Sequence, residues 1–146
     1  MGVALLDSNT VVGFLDADDP LHQAADVAVR AAATRHVLAA SVVTFAELLT
    51  GAKLGHHDEP TVRGFFSQVI TQSLRLDDAV AERSAELRAA HRSLKMPDAL
   101  ILATGDLYAD LVLTGDQKWL KTQGLRCKLE YIVDHRRRPG DSAAKL

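Results

Sequence analysis

Five short apolar runs, Val3 to Leu6, Val37 to Ala40, Leu74 to Leu76, Leu111 to Leu113 and Leu125 to Leu129, are spaced along the chain with longer segments of helical periodicity between them. Each run is too short for a buried helix and suits a strand covered on both faces. Strands that alternate with helices pair in parallel, because a parallel neighbour needs a crossover and that crossover is usually a helix. The expectation is a three-layer α/β/α domain around a mostly parallel sheet of about five strands.

The intervening segments carry the start signals of helices. Ser8-Asn9-Thr10 follows the first run, Pro20 suits the first turn of a second helix, and Ser41 can cap a third whose Val42, Phe45, Leu48 and Leu49 recur at helical spacing. After Pro60 a helix turns Val62, Phe65, Phe66, Val69 and Ile70 inward, and Asp77 or Asp78 opens another. In that next helix Val80, Ala81, Ser84, Leu87 and Ala90 form the inner face, with Glu82, Arg83, Glu86 and Arg88 in water. Pro97 begins a helix through Tyr108 so rich in apolar residues that it should lie deep against the sheet.

A chain of 146 residues with 47% hydrophobic and 25% charged residues fits one ordinary globular domain. No apolar stretch approaches the roughly 20 residues that cross a bilayer, and no basic segment precedes a long apolar core, so the cytoplasm is the expected location. The single cysteine, Cys127, excludes an internal disulfide and any multi-thiolate metal site. Residues 1–133 form the expected domain, and residues 134–146, with Arg136-Arg137-Arg138, read as a basic, disordered tail. Net charge is −2, but residues 1–62 hold three Lys/Arg against eight Asp/Glu, whereas residues 63–146 hold fourteen against eleven. A nucleic-acid ligand would therefore have to be gripped by a local patch and by bridging cations rather than by general attraction.

Ligand sites of parallel sheets lie beyond the carboxyl ends of the strands. Asp7 directly follows the first apolar run and Asp116 follows the fourth, while Glu47 and Asp98 sit on helices able to approach the same edge. Each acid also has an ordinary structural reading: Asp7 as a cap, Asp98 and Asp116 as first-turn acids, Glu47 as a solvated side chain. That reading handles Glu47 and Asp98 poorly, since Glu47 is flanked by Phe45, Ala46, Leu48 and Leu49 and Asp98 heads an otherwise apolar helix.

Leu5-Leu6-Asp7-Ser8-Asn9, Thr44-Phe45-Ala46-Glu47-Leu48, Met96-Pro97-Asp98-Ala99-Leu100-Ile101-Leu102-Ala103-Thr104 and Leu113-Thr114-Gly115-Asp116-Gln117-Lys118-Trp119-Leu120 resemble, in order, the PIN-domain motifs of VapC-type toxins. Any one of these is a weak signal; four in the right order and elements are a strong one. The resemblance spans about residues 3 to 132. It implies a PIN-like fold and a metal-dependent endoribonuclease in which Asp7, Glu47, Asp98 and Asp116 hold one or two magnesium or manganese ions, with Asn9 and Thr114 supporting them. It further implies hydrolysis of a tRNA or another structured RNA to 3′-hydroxyl and 5′-phosphate ends, inhibition by a small VapB-type antitoxin, and a homodimer. One departure stands out: many relatives carry a further acid just after the position of Asp116, where this chain has Gln117 and Lys118.

Carboxylate oxygens are the ligands that hard divalent cations prefer, and two-metal hydrolysis needs no covalent nucleophile from the protein. Ser8 and Thr10 lie near Asp7, but no histidine falls within the matched motifs to activate them, which disfavours a triad. Arg92 and Lys95, just ahead of Asp98, are candidate contacts to substrate phosphates or else a solvated helix end. Trp119 is expected to pack beneath the Asp116 turn rather than to stack on a base. Two other readings stand beside the nuclease. One is a haloacid-dehalogenase-like phosphatase, whose Asp-x-Asp is here Asp7-Ser8-Asn9. The other is a PIN-like protein that binds RNA or a partner without catalysis.

Overall fold

The computed structural model describes Gly2–Val133; the expected tail lies outside the described residues. Strands β1 (Gly2–Leu6), β2 (His36–Ser41), β3 (Gln72–Leu74), β4 (Leu111–Thr114) and β5 (Lys128–Tyr131) form one sheet in the order β3-β2-β1-β4-β5. Every pairing is parallel, as the alternation of strand and helix requires. The helices are α1 (Ser8–Leu15), α2 (His22–Ala33), α3 (Val42–Lys53), α4 (Glu59–Gln68), α5 (Asp78–Ala90) and α6 (Met96–Tyr108), and a short 3₁₀ helix spans Gln117–Lys121.

Successive strand residues face opposite sides of the sheet, which divides the core in two. Ala4, Leu6, Leu38, Ala40 and Leu113 enter one cluster with Val11, Val29, Leu48, Val62 and Phe65 from α1 to α4. Leu5 and Val112 enter the other with Val80, Leu87, Ile101, Leu102 and Trp119. Helix α6 lies against β4 so closely that a Cβ at Gly105 would stand 2.4 Å from Val112 Cγ2. No side chain larger than hydrogen fits there without displacing the strand.

Side chains cap most helix starts. Asp7, Ser41, Asp58, Asp77 and Asp116 each accept a hydrogen bond from a backbone N–H of the helix that follows. Helix α2 begins two residues beyond Pro20, because Asp16 and Asp19 organise the approach: their Oδ1 atoms accept from Asp18 N at 2.9 Å and Leu21 N at 2.8 Å. The third strand falls at Gln72–Leu74 rather than Leu74 to Leu76, in register with Ala39, Ala40 and Ser41 of β2. No strand forms at Leu125 to Cys127, because the Arg126 and Cys127 amides donate instead to Asp106 Oδ1, and β5 starts one residue later.

That same Asp106 corrects the reading of α5. Arg83, expected in water, reaches Asp106 Oδ2 through Nε at 2.9 Å and the Gly124 carbonyl through Nη2 at 2.9 Å. Ala81 and Ala90, placed on the inner face, are exposed, whereas Val80, Ser84 and Leu87 are buried as expected. Burial alone would raise the Asp106 carboxyl, but Arg83 and the two amides hold it below the usual carboxylate range. Asp106 thus fastens α5, α6 and the chain entering β5 into one unit.

Replacing Arg83 by Ala strands this carboxylate, and the expected loss is about 3 kcal/mol, the lower end for a broken buried pair. The loss is to be read from urea unfolding at pH 7. Because the folded-state pKa of Asp106 is lowered, its contribution is present above the ordinary carboxylate range and disappears as pH falls through the folded value. The difference between wild type and Arg83→Ala should therefore narrow in acid, and a difference under about 0.5 kcal/mol at pH 7 would remove the assigned role.

Candidate active site

Strand order determines where the site falls. The chain steps outward from β1 to β2 and β3, then returns to the other side of β1 for β4 and β5, so the direction of winding reverses between β1 and β4. A crevice opens at the carboxyl ends of two strands at such a reversal. Asp7 leaves β1 there and Asp116 leaves β4 there, one residue past Thr114-Gly115.

Asp7 is 2% exposed and fully engaged. Its Oδ1 accepts from Thr10 N at 2.7 Å, capping α1, and its Oδ2 accepts from Thr114 Oγ1 at 2.6 Å and Gly115 N at 3.2 Å. Thr114 Oγ1 in turn accepts from Asp116 N at 3.0 Å, and Asp116 Oδ1 accepts from Lys118 N at 2.9 Å. The capping reading of Asp7 is thus correct, Asp116 is the cap of the 3₁₀ helix rather than the first-turn acid expected, and capping is also what aims the two side chains. Burial raises the Asp7 carboxyl above its usual range, against the hydrogen bonds from Thr10, Thr114 and Gly115 that favour the charged form.

Gly115 makes this approach possible, since a Cβ there would lie 2.9 Å from Leu21 Cδ1 and 3.1 Å from Asn9 Cβ. Asn9 is exposed on the first turn of α1, and its amide makes no hydrogen bond among the described residues. Glu47, exposed on α3, accepts from Ser8 Oγ at 2.7 Å. Ser8, set aside in the sequence as a nucleophile, therefore acts as the positioning donor for Glu47. Spacing in the sequence could not reveal that pair, which depends on how α1 and α3 pack.

Asp98, half-buried in the first turn of α6, brings the acids together electrically. Its carboxyl is pushed up first by burial and then by Asp116, Glu47 and Asp7, and Lys95 opposes the rise. Four acids from four different elements thus share one field. They form a charge cluster rather than a closed cage: among the described residues, no group of three His, Cys, Asp or Glu is disposed to hold a metal ion as it stands. Like charges about 4 Å apart repel by ~1 kcal/mol in water and ~4 kcal/mol near a protein surface, a cost that a divalent cation would offset. In donor chemistry and charge the set suits a hard divalent ion.

Lys95 precedes α6 beside Asp98 and lines a cleft of about 360 Å³ with Asp98 and Asp116, whereas Arg92 is exposed and outside that lining. Trp119 is 2% exposed beneath the Asp116 turn, as expected of a packing residue. Sequence reasoning missed Lys118 and Lys121, which line the same cleft. Their signal was a three-residue spacing on a segment too short to show periodicity.

The crowding has a measurable cost. Asp98 has a raised folded-state pKa, so the folded chain retains a proton that the unfolded chain has lost, and stability falls as pH rises from the ordinary carboxylate value through the folded one. Above that window the cost is fully present. In chelator-treated protein at pH 7, Asp98→Asn should raise the unfolding midpoint by about 3 °C, corresponding to roughly 1 kcal/mol for one partly exposed like-charge contact. Calorimetry reads the shift, and a lower midpoint would contradict the electrostatic account.

The PIN domain family matches residues 4–125, the segment that carries all four acids. A toxin–antitoxin complex from Klebsiella pneumoniae has a chain similar to this one with 28% identity and a TM-score of 0.70, covering 89% of this chain and 98% of that one. A DNA-bound VapBC from Salmonella typhimurium is similar at 20% identity and TM-score 0.70, covering 91% and 100%. VapC20 of Mycobacterium tuberculosis, a toxin that cleaves the sarcin–ricin loop, is similar at 17% identity and TM-score 0.61, covering 82% and 95%. No curated protein sequence matches the chain. With the family match running from the first strand to the approach of the last, and the matched acids gathered at the sheet's carboxyl edge, the chain belongs to the PIN-domain family.

Proposed function

We propose that this protein is a VapC-type toxin, an endoribonuclease that hydrolyses a tRNA or another structured RNA with the help of one or two divalent ions. The observation that carries the reading is the shared field of Asp7, Glu47, Asp98 and Asp116, expressed in the raised carboxyl of Asp98. Asp98 and Asp116 line the cleft, Glu47 and Asp7 lie close enough to push up the Asp98 carboxyl, and Asp7 keeps Thr114 in place. A bound magnesium or manganese ion would neutralise this cluster and supply an activated water together with charge for the leaving 3′ oxygen. Ser8 keeps Glu47 turned toward its neighbours, and Thr114 links Asp7 to Asp116. The products are 3′-hydroxyl and 5′-phosphate ends.

A small antitoxin belongs to the same reading, supported by the toxin–antitoxin complexes among the structural neighbours. A second cleft, of about 380 Å³, runs beside α1 and α3 with Asp16, Asp18 and Asp58 over Val12, Leu15 and Leu48. Acids over an apolar floor suit a basic, amphipathic peptide. The protein would act in the cytoplasm as a homodimer; among the described residues no helix is long and apolar enough to cross a membrane.

The test is incubation of purified protein with total RNA and magnesium, with and without chelator, followed by mapping of the cut ends. Discrete cuts that require the metal are expected; intact RNA would end the proposal. Glu47→Gln, Asp98→Asn and Asp116→Asn should each lower the cleavage rate about a hundredfold or more, the scale for losing a group that stabilises transition-state charge. Magnesium at a hundred times its dissociation constant should stabilise the wild-type fold by about 2.7 kcal/mol, and this increment should vanish in Asp98→Asn. A second reading, RNA binding without cleavage, draws on the open arrangement of the acids and predicts bound but uncut RNA under the same conditions.

A further inference from the structure

Two clefts, one beside each core cluster on the two faces of the sheet, have opposite character. On the α1 and α3 side, the cleft described above is lined by acids and histidines, with no lysine or arginine. On the other side, the cleft of about 360 Å³ between the α5–α6 loop and the 3₁₀ helix is lined by Lys95, Lys118 and Lys121 and reaches Asp98 and Asp116. None of these three lysines makes an ion pair among the described residues, although Arg30, Lys53, Arg63 and Arg83 all do. Three exposed cations without an ion pair among the described residues thus stand within one cleft that includes Asp98 and Asp116.

Their placement is built into the backbone. In a 3₁₀ helix side chains at i and i+3 stand one above the other, roughly 6 Å apart along the axis, so Lys118 and Lys121 share a face. The Lys118 amide is bonded to Asp116 Oδ1 at 2.9 Å, which holds the first lysine next to a site carboxylate. Lys95 sits at the entry to α6, close enough to Asp98 to lower its carboxyl. On the loop side, His91 Nε2 accepts from Gln123 N at 3.4 Å and ties the two walls together. Trp119 lines the wall, and its Nε1 is buried without a partner among the described residues.

We propose that this cleft carries the single-stranded RNA backbone next to the cut bond, with Lys118 and Lys121 on successive phosphates and Lys95 on the phosphate nearest the acids. The assignment rests on the nuclease reading and deepens it: RNA enters over the 3₁₀ helix, and the acidic flank is left to a protein partner. The row of cations beside Asp98 and Asp116 gives the strand its path, whereas the cleft lined by Asp16, Asp18 and Asp58 repels phosphate. Trp119 serves as the wall of the cleft and is too deeply buried to stack on a base.

The test measures binding apart from turnover. In the Glu47→Gln background with magnesium, a fluorescein-labelled single-stranded RNA of about twelve nucleotides is titrated by anisotropy at several salt concentrations. The added pair Lys118→Ala and Lys121→Ala should weaken binding about tenfold and flatten the dependence of log affinity on log salt by about 1.4, at about 0.7 for each phosphate contact on a single strand. Lys118→Arg with Lys121→Arg should retain most of the affinity. Lys128→Ala, at the amino end of the sheet, should bind as the background does. Equal affinity and slope in the paired alanine variant, with wild-type protein still cutting RNA, would overturn this assignment and leave the nuclease reading intact. Absence of both binding and cutting would overturn the two together. Displacement of the labelled RNA by a decaglutamate peptide more readily than by unlabelled RNA would give the cleft to an acidic protein segment and overturn it as well.

Discussion

The Asp7 carboxylate is the interaction on which the site depends. It is buried where the winding of the sheet reverses, and it satisfies the first turn of α1, the Thr114 hydroxyl and the Gly115 amide at once. Two hydrogen bonds to its Oδ2, from Thr114 Oγ1 and Gly115 N, fix the exits of β1 and β4 relative to each other, and Thr114 Oγ1 passes the constraint on by accepting from the backbone of Asp116. A buried carboxylate is costly unless its oxygens are paired, and here every partner belongs to the site it organises. The same contacts that make the charge tolerable therefore set the geometry of the neighbouring acids.

A second carboxylate, Asp106, does comparable work without chemistry. It sits near the opposite end of α6 from Asp98 and closes on Arg83 and the chain entering β5. The two acids of this helix take opposite electrostatic environments. Asp106 has a cation and two amides and is held low, whereas Asp98 has three carboxylates around it and is pushed high. One helix thus anchors itself at one end through a paired carboxylate and carries a crowded one at the other.

The sheet and its layers were legible in the sequence because they rest on hydrophobic periodicity, which is local. The runs at Val3 to Leu6, Val37 to Ala40 and Leu111 to Leu113 became β1, β2 and β4 with bounds moved by a residue or two. The edge strands were less legible, for a physical reason: β3 and β5 are set by what they pair with and by competing side chains. Asp106 takes the Arg126 and Cys127 amides that a strand at Leu125 to Leu129 would have needed. At the site, the four acids could be singled out, since each interrupts an apolar context or ends a strand. The partners that aim them, Ser8 for Glu47 and the Thr114 hydroxyl between Asp7 and Asp116, follow from packing across more than thirty residues of sequence and leave no periodic trace.

The near-neutral charge of the whole chain conceals a division that the fold makes visible. Acids of the amino-terminal half gather just past the end of α1 and in the loop into α4, and lysines without an ion pair among the described residues gather at the 3₁₀ helix and the start of α6. The acidic cluster lies where β1 of the first half and β4 of the second end side by side. A polyanion approaching such a surface meets attraction on one side and repulsion on the other, so net charge says little about affinity and the local gradient says a good deal about direction. The parallel sheet creates that gradient: by turning all its carboxyl ends to one edge, it brings the β1 exit from the acidic half and the β4 exit from the basic half side by side.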